Sequence, residues 1–237
     1  MQQETDNAGL AANLRVTMAE LVAARAPHPE TAAAKRAVRI WQNQRFARTY
    51  ADLSRNPRYH AAVEFFLREL YGDVDMTARD ADVVRVLPLM IKLLPAVVLQ
   101  TIRDALAFEA LSERFDTELA RHLGNRPLDL ISYGEAFRAC GERDERQQQV
   151  RCVNQIGGAL DRTTRWPLIG TTLKLMRAPA RAAGLEKLQE FLEGGYAAFK
   201  QMRGAEEFLA TVAKRETAIV ERLFAGHPRP FDLEETA

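Results

Sequence analysis

No stretch of the chain alternates strictly between apolar and polar residues, which removes the half-buried β-strand from the elements it is expected to form. Cysteine is nearly missing as well. Cys140 and Cys152 stand far apart, with no CxxC pair and no neighbouring histidine pair, so the common zinc and redox spacings are excluded and two reduced thiols of a cytoplasmic protein are expected. Only four histidines occur, none within a Glu-x-x-His unit, which removes a di-iron bundle. Neither sign of charge dominates: 33 basic residues face 32 acidic ones, so no global field draws a nucleic acid, and none is expected as a partner. The most apolar run, VVRVLPLMIKLLPAVVL at residues 83–99, is interrupted by Arg85, Pro88, Lys92 and Pro95. It is too short and broken for a membrane span and predicts a buried helix pair. The N-terminus lacks a basic segment followed by an apolar one, so no secretion signal is expected.

Motifs of known chemistry are missing too. Ser54, Ser112 and Ser132 lie outside any Gly-x-Ser-x-Gly, and there is no phosphate-cradling Gly-x-x-x-x-Gly-Lys loop and no dinucleotide fingerprint. No catalytic residue, cofactor or metal site is assigned, and a non-enzymatic protein is favoured.

What remains is periodicity of three to four residues along nearly the whole chain. It predicts an all-α, multi-helix bundle of about eight to ten helices with short connections. Helices are expected over 8–25, 30–55, 57–71, 78–94, 96–123, 128–140, 143–164, 167–178, 185–203 and 205–224. Residues 1–237 read as a single domain, with a seam near 124–128 at Gly124, Asn125 and Pro127, and with frayed tails at 1–7 and 226–237.

Local signals punctuate this pattern. Asn56 before Pro57 is a helix start, and Gly72 is a stop. Thr77 and Asp80, three residues apart, resemble a capping box and assign Asp80 to the beginning of a helix. The aspartates at 73–82 do not complete a calcium loop, because Ala78 and Val84 stand where glycine and glutamate are required. The stretch FFLRELYGDVDMTARDAD, residues 65–82, resembles the signature of a family of uncharacterised bacterial helical proteins, in which FFL-x-x-LYG precedes Arg-Asp-Ala-Asp. That resemblance implies a bacterial source and a helical fold, with no catalytic residue.

Charge is unevenly distributed. Residues 25–58 are mainly basic and residues 64–82 mainly acidic, which predicts that the two blocks face each other across a surface seam. One functional expectation follows: a protein interaction module or homo-oligomer built on that seam. A second is a haem-binding helical sensor or enzyme, with His60 or His122 as axial ligand.

The leading expectation concerns residues 162–208. Residues 162–185 carry Arg162, Arg165, Lys174, Arg177 and Arg181 without an acid, together with Trp166, Leu173 and Met176. Such a segment suits a small apolar or amphipathic ligand with an anionic head, or peripheral contact with a membrane surface. Gly194 and Gly195 interrupt the next helix and require close packing or a bend. The expected ligand-binding set is Arg162, Arg165, Trp166, Leu173, Lys174, Met176, Arg177, Phe191 and Phe199.

Overall fold

The computed structural model describes residues 2–26, 28–69 and 76–233, with side chains from residue 8 onward. Among the described residues there are eleven α-helices and no strand. They are α1 (Gln2–Ala24), α2 (Ala32–Thr49), α3 (Ala51–Arg55), α4 (His60–Glu69), α5 (Thr77–Leu93) and α6 (Ala96–Leu123). These are followed by α7 (Leu130–Cys140), α8 (Arg143–Thr164), α9 (Ile169–Ala182), α10 (Glu186–Met202) and α11 (Glu206–Phe224). The protein is an all-α multi-helix bundle. α6 and α8 fall on their expected residues because their ends are marked locally. Pro95 precedes α6 and Gly124 ends it at φ 59°, while Gly141 at φ 67° separates α7 from α8. The additional helix arises at Tyr50, where a fully buried side chain turns its hydroxyl to Glu216 (2.7 Å) and the backbone departs from helical geometry.

Apolar stripes meet in three clusters. Leu14, Met18 and Leu21, spaced at i, i+4 and i+7 on α1, pack against Leu87 of α5 and Leu99 and Leu106 of α6. A second cluster joins Val38 of α2, Leu119 of α6, Tyr133 and Phe137 of α7, and Ile219 and Leu223 of α11. The third holds Phe46, Tyr50, Val63 and Phe65 against Phe199, Met202 and Phe208 of α10 and α11. Each such side chain contributes about 1.5–3 kcal/mol on burial. Beside the second cluster the Arg146 guanidinium lies over Phe115 and Phe137, 3.6 and 4.6 Å from their ring centroids, and burial pushes its pKa down.

Several expectations are corrected by the structure. The C-terminal residues are not frayed as far as residue 233: Phe231 packs on Trp41 at 5.4 Å, and Arg222 donates to the Asp232 carbonyl at 2.8 Å. The apolar run at 83–99 is only half buried. Leu87 and Leu99 enter the core, whereas Leu89, Leu93 and Val97 at the α5–α6 corner are exposed.

Asp80 stands in the first turn of α5, at a helix start as expected, but it does not cap that helix. α5 begins after Met76 with no side-chain cap, and the Asp80 carboxylate turns inward to accept from Arg25, which follows α1. The predicted stop at Gly72, the signature residues Leu70 and Tyr71, and Asp73 and Asp75 lie outside the described residues. What is described of the signature forms a structural hub. The Phe65 ring lies against Gly194 and Gly195, where added β-carbons would stand 3.4 and 3.2 Å from it, so the glycine pair permits the close packing that its helix requires. Phe65 also touches Phe191 (5.4 Å), and Arg79 lies over the other aromatic surface of that site, 4.6 Å from the Phe191 centroid. Arg79 then pairs with Glu109 of α6 at 2.8 Å.

Among the described residues the basic block of residues 25–58 does not meet the acidic block across a surface seam: Arg25 reaches Asp80 as an inward pair, Arg25, Lys35, Arg39 and Arg45 turn into the fold, and Arg36, Arg48, Arg55 and Arg58 stay exposed. Glu113, 4% exposed, accepts from Arg25 (3.0 Å), from Lys35 (2.8 Å) and from Arg39, which also approaches Asp116 at 3.6 Å. Arg25 reaches Glu109 as well. Arg45 pairs with Glu216 at 2.5 Å, and Arg58 with Glu207 at 2.8 Å. Burial pushes the Glu113 carboxyl up, but Arg39, Lys35 and Arg25 outweigh it and hold it below the ordinary range. At Asp116 burial dominates and the pKa is raised.

A carboxylate with a depressed folded pKa contributes stability that is present at neutral pH and lost as pH falls through that pKa. Glu113→Gln leaves three inward cations without their shared anion. It is expected to cost about 3–5 kcal/mol at neutral pH and to flatten the loss of stability on acidification, measured by denaturant unfolding across pH. Wild-type stability and an unchanged pH profile in this variant would contradict the assignment.

Candidate functional site

α9 and α10 form an antiparallel hairpin on the outside of the bundle. α9 is held lightly: only Ala180 of its fourteen residues is buried. Its attachments are polar. Gln189 donates to the Leu173 carbonyl (2.7 Å), and Arg177 makes two bonds to Glu193 (2.7 and 2.6 Å). Hydrogen bonds from Arg177 and then Gln189 hold the Glu193 carboxyl down to about 2, so this clasp stays charged through the physiological range.

Between the helices runs an open groove of two adjoining parts, of about 600 and 660 Å³. Each helix presents one face to it. Gly170, Lys174 and Arg177 recur at i, i+4 and i+7 on α9, as do Tyr196, Lys200 and Arg203 at the end of α10. Gly170 is required by the close approach, since an added β-carbon there would stand 2.6 Å from the Tyr196 hydroxyl. The back wall is Phe199, 3% exposed, flanked by Trp166 and Pro167. Asp161, buried at the end of α8, fixes the inner corner by accepting from the Ala205 amide (3.2 Å) and from Arg165 (2.5 Å).

The groove is basic. Lys200 donates to the Tyr196 hydroxyl at 2.8 Å, and no carboxylate forms an ion pair with Lys174, Lys200 or Arg203 among the described residues. At the α9 start Thr172 bonds back to the Leu168 carbonyl, whereas the Gly170 and Thr171 amides, both on the groove wall, have no such partner. Strain collects at the same place. Leu168 (φ 76°) and Arg203 (φ 52°) are two of three non-glycine residues with positive φ among those described. Arg203 is set there because Arg58 caps the end of α10 through the Met202 and Gly204 carbonyls (2.7 and 3.0 Å).

Of the residues singled out from sequence, Arg165, Trp166, Leu173, Lys174, Arg177 and Phe199 line the groove. Three do not. Arg162 is exposed on the last turn of α8, Met176 lies outside the groove at 45% exposure, and Phe191 packs on Phe65 in the interior. Arg177 lines the wall with its charge committed to Glu193. Tyr196, Lys200 and Arg203 were not singled out, although their i, i+4, i+7 spacing was the available signal. His60 and His122 are both exposed, with the His60 ring against the Ser54 carbonyl at 2.9 Å.

The model of a domain of unknown function, DUF8198, matches residues 21–230. The chain belongs to this family. The matched span contains the ionic core on α6, the Phe65–Arg79 hub and the whole groove. No curated protein and no solved structure matches the chain.

Gly170→Val would drive a branched side chain into the position of the Tyr196 hydroxyl. A loss of about 1–3 kcal/mol is expected from the overpacking, together with loss of the Lys200–Tyr196 bond. Thermal unfolding reads the first, and an unchanged melting temperature would contradict the close contact.

Proposed function

We propose that the protein binds an anionic amphiphile, an acyl-type chain with a carboxylate or phosphate head, in the groove between α9 and α10, as a binding protein and not as a catalyst. The carrying observation is the convergence of Lys174, Lys200 and Arg203, none ion-paired to a carboxylate, over an apolar wall of Phe199, Trp166 and Leu173. Cations that form no ion pair with a carboxylate at a concave surface favour an external anion, and apolar surface beside them favours a hydrocarbon attached to it. The amides of Gly170 and Thr171, which have no backbone acceptor among the described residues, add donors on the same wall. Under this reading the FFL and Arg-Asp-Ala-Asp stretches serve as the scaffold, and the ligand site lies apart from them. A bacterial, cytoplasmic setting belongs to the same proposal; among the described residues no helix is long and apolar enough to cross a membrane.

Differential scanning fluorimetry with dodecanoate and dodecyl phosphate, below their micelle concentrations, tests the proposal. At a hundredfold excess over Kd the expected stabilisation is about 2.7 kcal/mol, a rise of roughly 5–10 °C for a chain of this size. Lys200→Glu combined with Arg203→Glu is expected to abolish the rise while leaving the unliganded melting temperature within a few degrees. No rise with either amphiphile, or a rise that survives in the double variant, would overturn it.

A further inference from the structure

The outward face of α9 raises a question separate from the groove. Leu175, Ala178, Pro179 and Ala182 share that face by their spacing, Leu168 extends it by two turns, and all are exposed. Leu168 and Leu175 are 73% and 72% exposed, more than any other large apolar side chain among the described residues, and Trp166 beside them is 40% exposed. Leu168 also stands at the start of α9 with φ 76° and provides no side-chain cap. Asparagine or aspartate would satisfy both the left-handed backbone and the cap, so leucine at this position costs local stability. Lys174 and Arg181 border the stripe, Arg181 already reaching Glu186 of α10 at 3.0 Å, and α9 itself contains no acid. Residues 161–204 hold eight cations against four carboxylates in a chain of net charge +1.

We infer that α9 is a peripheral membrane-docking helix. It lies in the headgroup layer of an anionic bilayer with Leu168 and Leu175 inserted and Lys174 and Arg181 beside lipid phosphates. Charge complementarity selects this occupant over a second copy of the chain, because two such stripes face to face would bring Lys174 and the surplus cations of residues 161–204 against their own like charges. The inference holds independently of any ligand in the groove. Docked in this way, the groove opens along the membrane surface.

Sedimentation of the full chain with vesicles tests the docking. Binding is expected to vesicles of equal parts phosphatidylglycerol and phosphatidylcholine, to weaken with added salt, and to be lost on phosphatidylcholine alone. Trp166 reports insertion by a blue shift of emission, because Trp41 is stacked on Tyr133 in the interior; Trp166→Phe should remove the shift. Leu175→Asp is expected to weaken binding by about tenfold or more, and Leu168→Asp with Leu175→Asp further still. Both positions are exposed, and aspartate suits the backbone at 168, so folding is retained. Dependence of vesicle binding on Leu175 should persist in the variant with Lys200→Glu and Arg203→Glu, so the docking and the groove proposal fail separately. Absence of binding to the anionic vesicles, equal binding to neutral ones, or unchanged binding in the double leucine variant would overturn the inference. So would a wild-type dimer that Leu175→Asp converts to monomer.

Discussion

Glu113 is the anion around which the N-terminal half of the protein is arranged. It sits within α6 at 4% exposure, accepts from Arg25 after α1 and from Lys35 and Arg39 of α2, and so ties both to the longest helix. Arg25 carries the network on to Asp80 and Glu109, and Arg79 joins Glu109 from α5. Apolar burial drives collapse in this region, but the helices could slide along their leucine stripes. Directional, charge-assisted bonds fix where they stop. The cost of the arrangement is that removing one member leaves the others buried and uncompensated.

From this core the fold can be followed outward to the groove. Arg79 lies over Phe191, which packs with Phe65 against the glycine pair of α10. The inner face of α10 is thereby anchored. Its opposite face, with Tyr196, Lys200 and Arg203, is left to meet α9 across the groove, and α9 itself has few buried contacts. Rigid interior and lightly held outer helix are consequences of the same distribution of apolar and charged residues.

Much of the fold was legible locally. α6 can be bounded from the preceding Pro95 and the following Gly124, and α8 from Gly141 before it and from the acids of its first turn and Arg162 of its last. Asp80 lies at a helix start as its spacing predicts, but capping and buried pairing call for the same residue type, and only the position of Arg25, 55 residues away, distinguishes them. The C-terminal tail was misread for a related reason: Phe231 is a lone aromatic among prolines and charges, and its partner Trp41 is remote in sequence. At the groove, the acid-free segment supplies Arg165, Trp166, Leu173, Lys174 and Arg177 to the lining. It could not show that Phe191 belongs to the interior, since spacing within α10 gives faces and not their neighbours. Lys200 and Arg203 were hidden because each is ordinary in the last turn of a helix.

Hydrogen–deuterium exchange of the full chain, alone and with dodecyl phosphate, measures the whole contrast at once. The account predicts slowest exchange in α6 and fast exchange in α9, with α9 and the end of α10 becoming protected when the amphiphile is added. Protection of α9 equal to that of α6 in the free protein, with no change on addition, would contradict it.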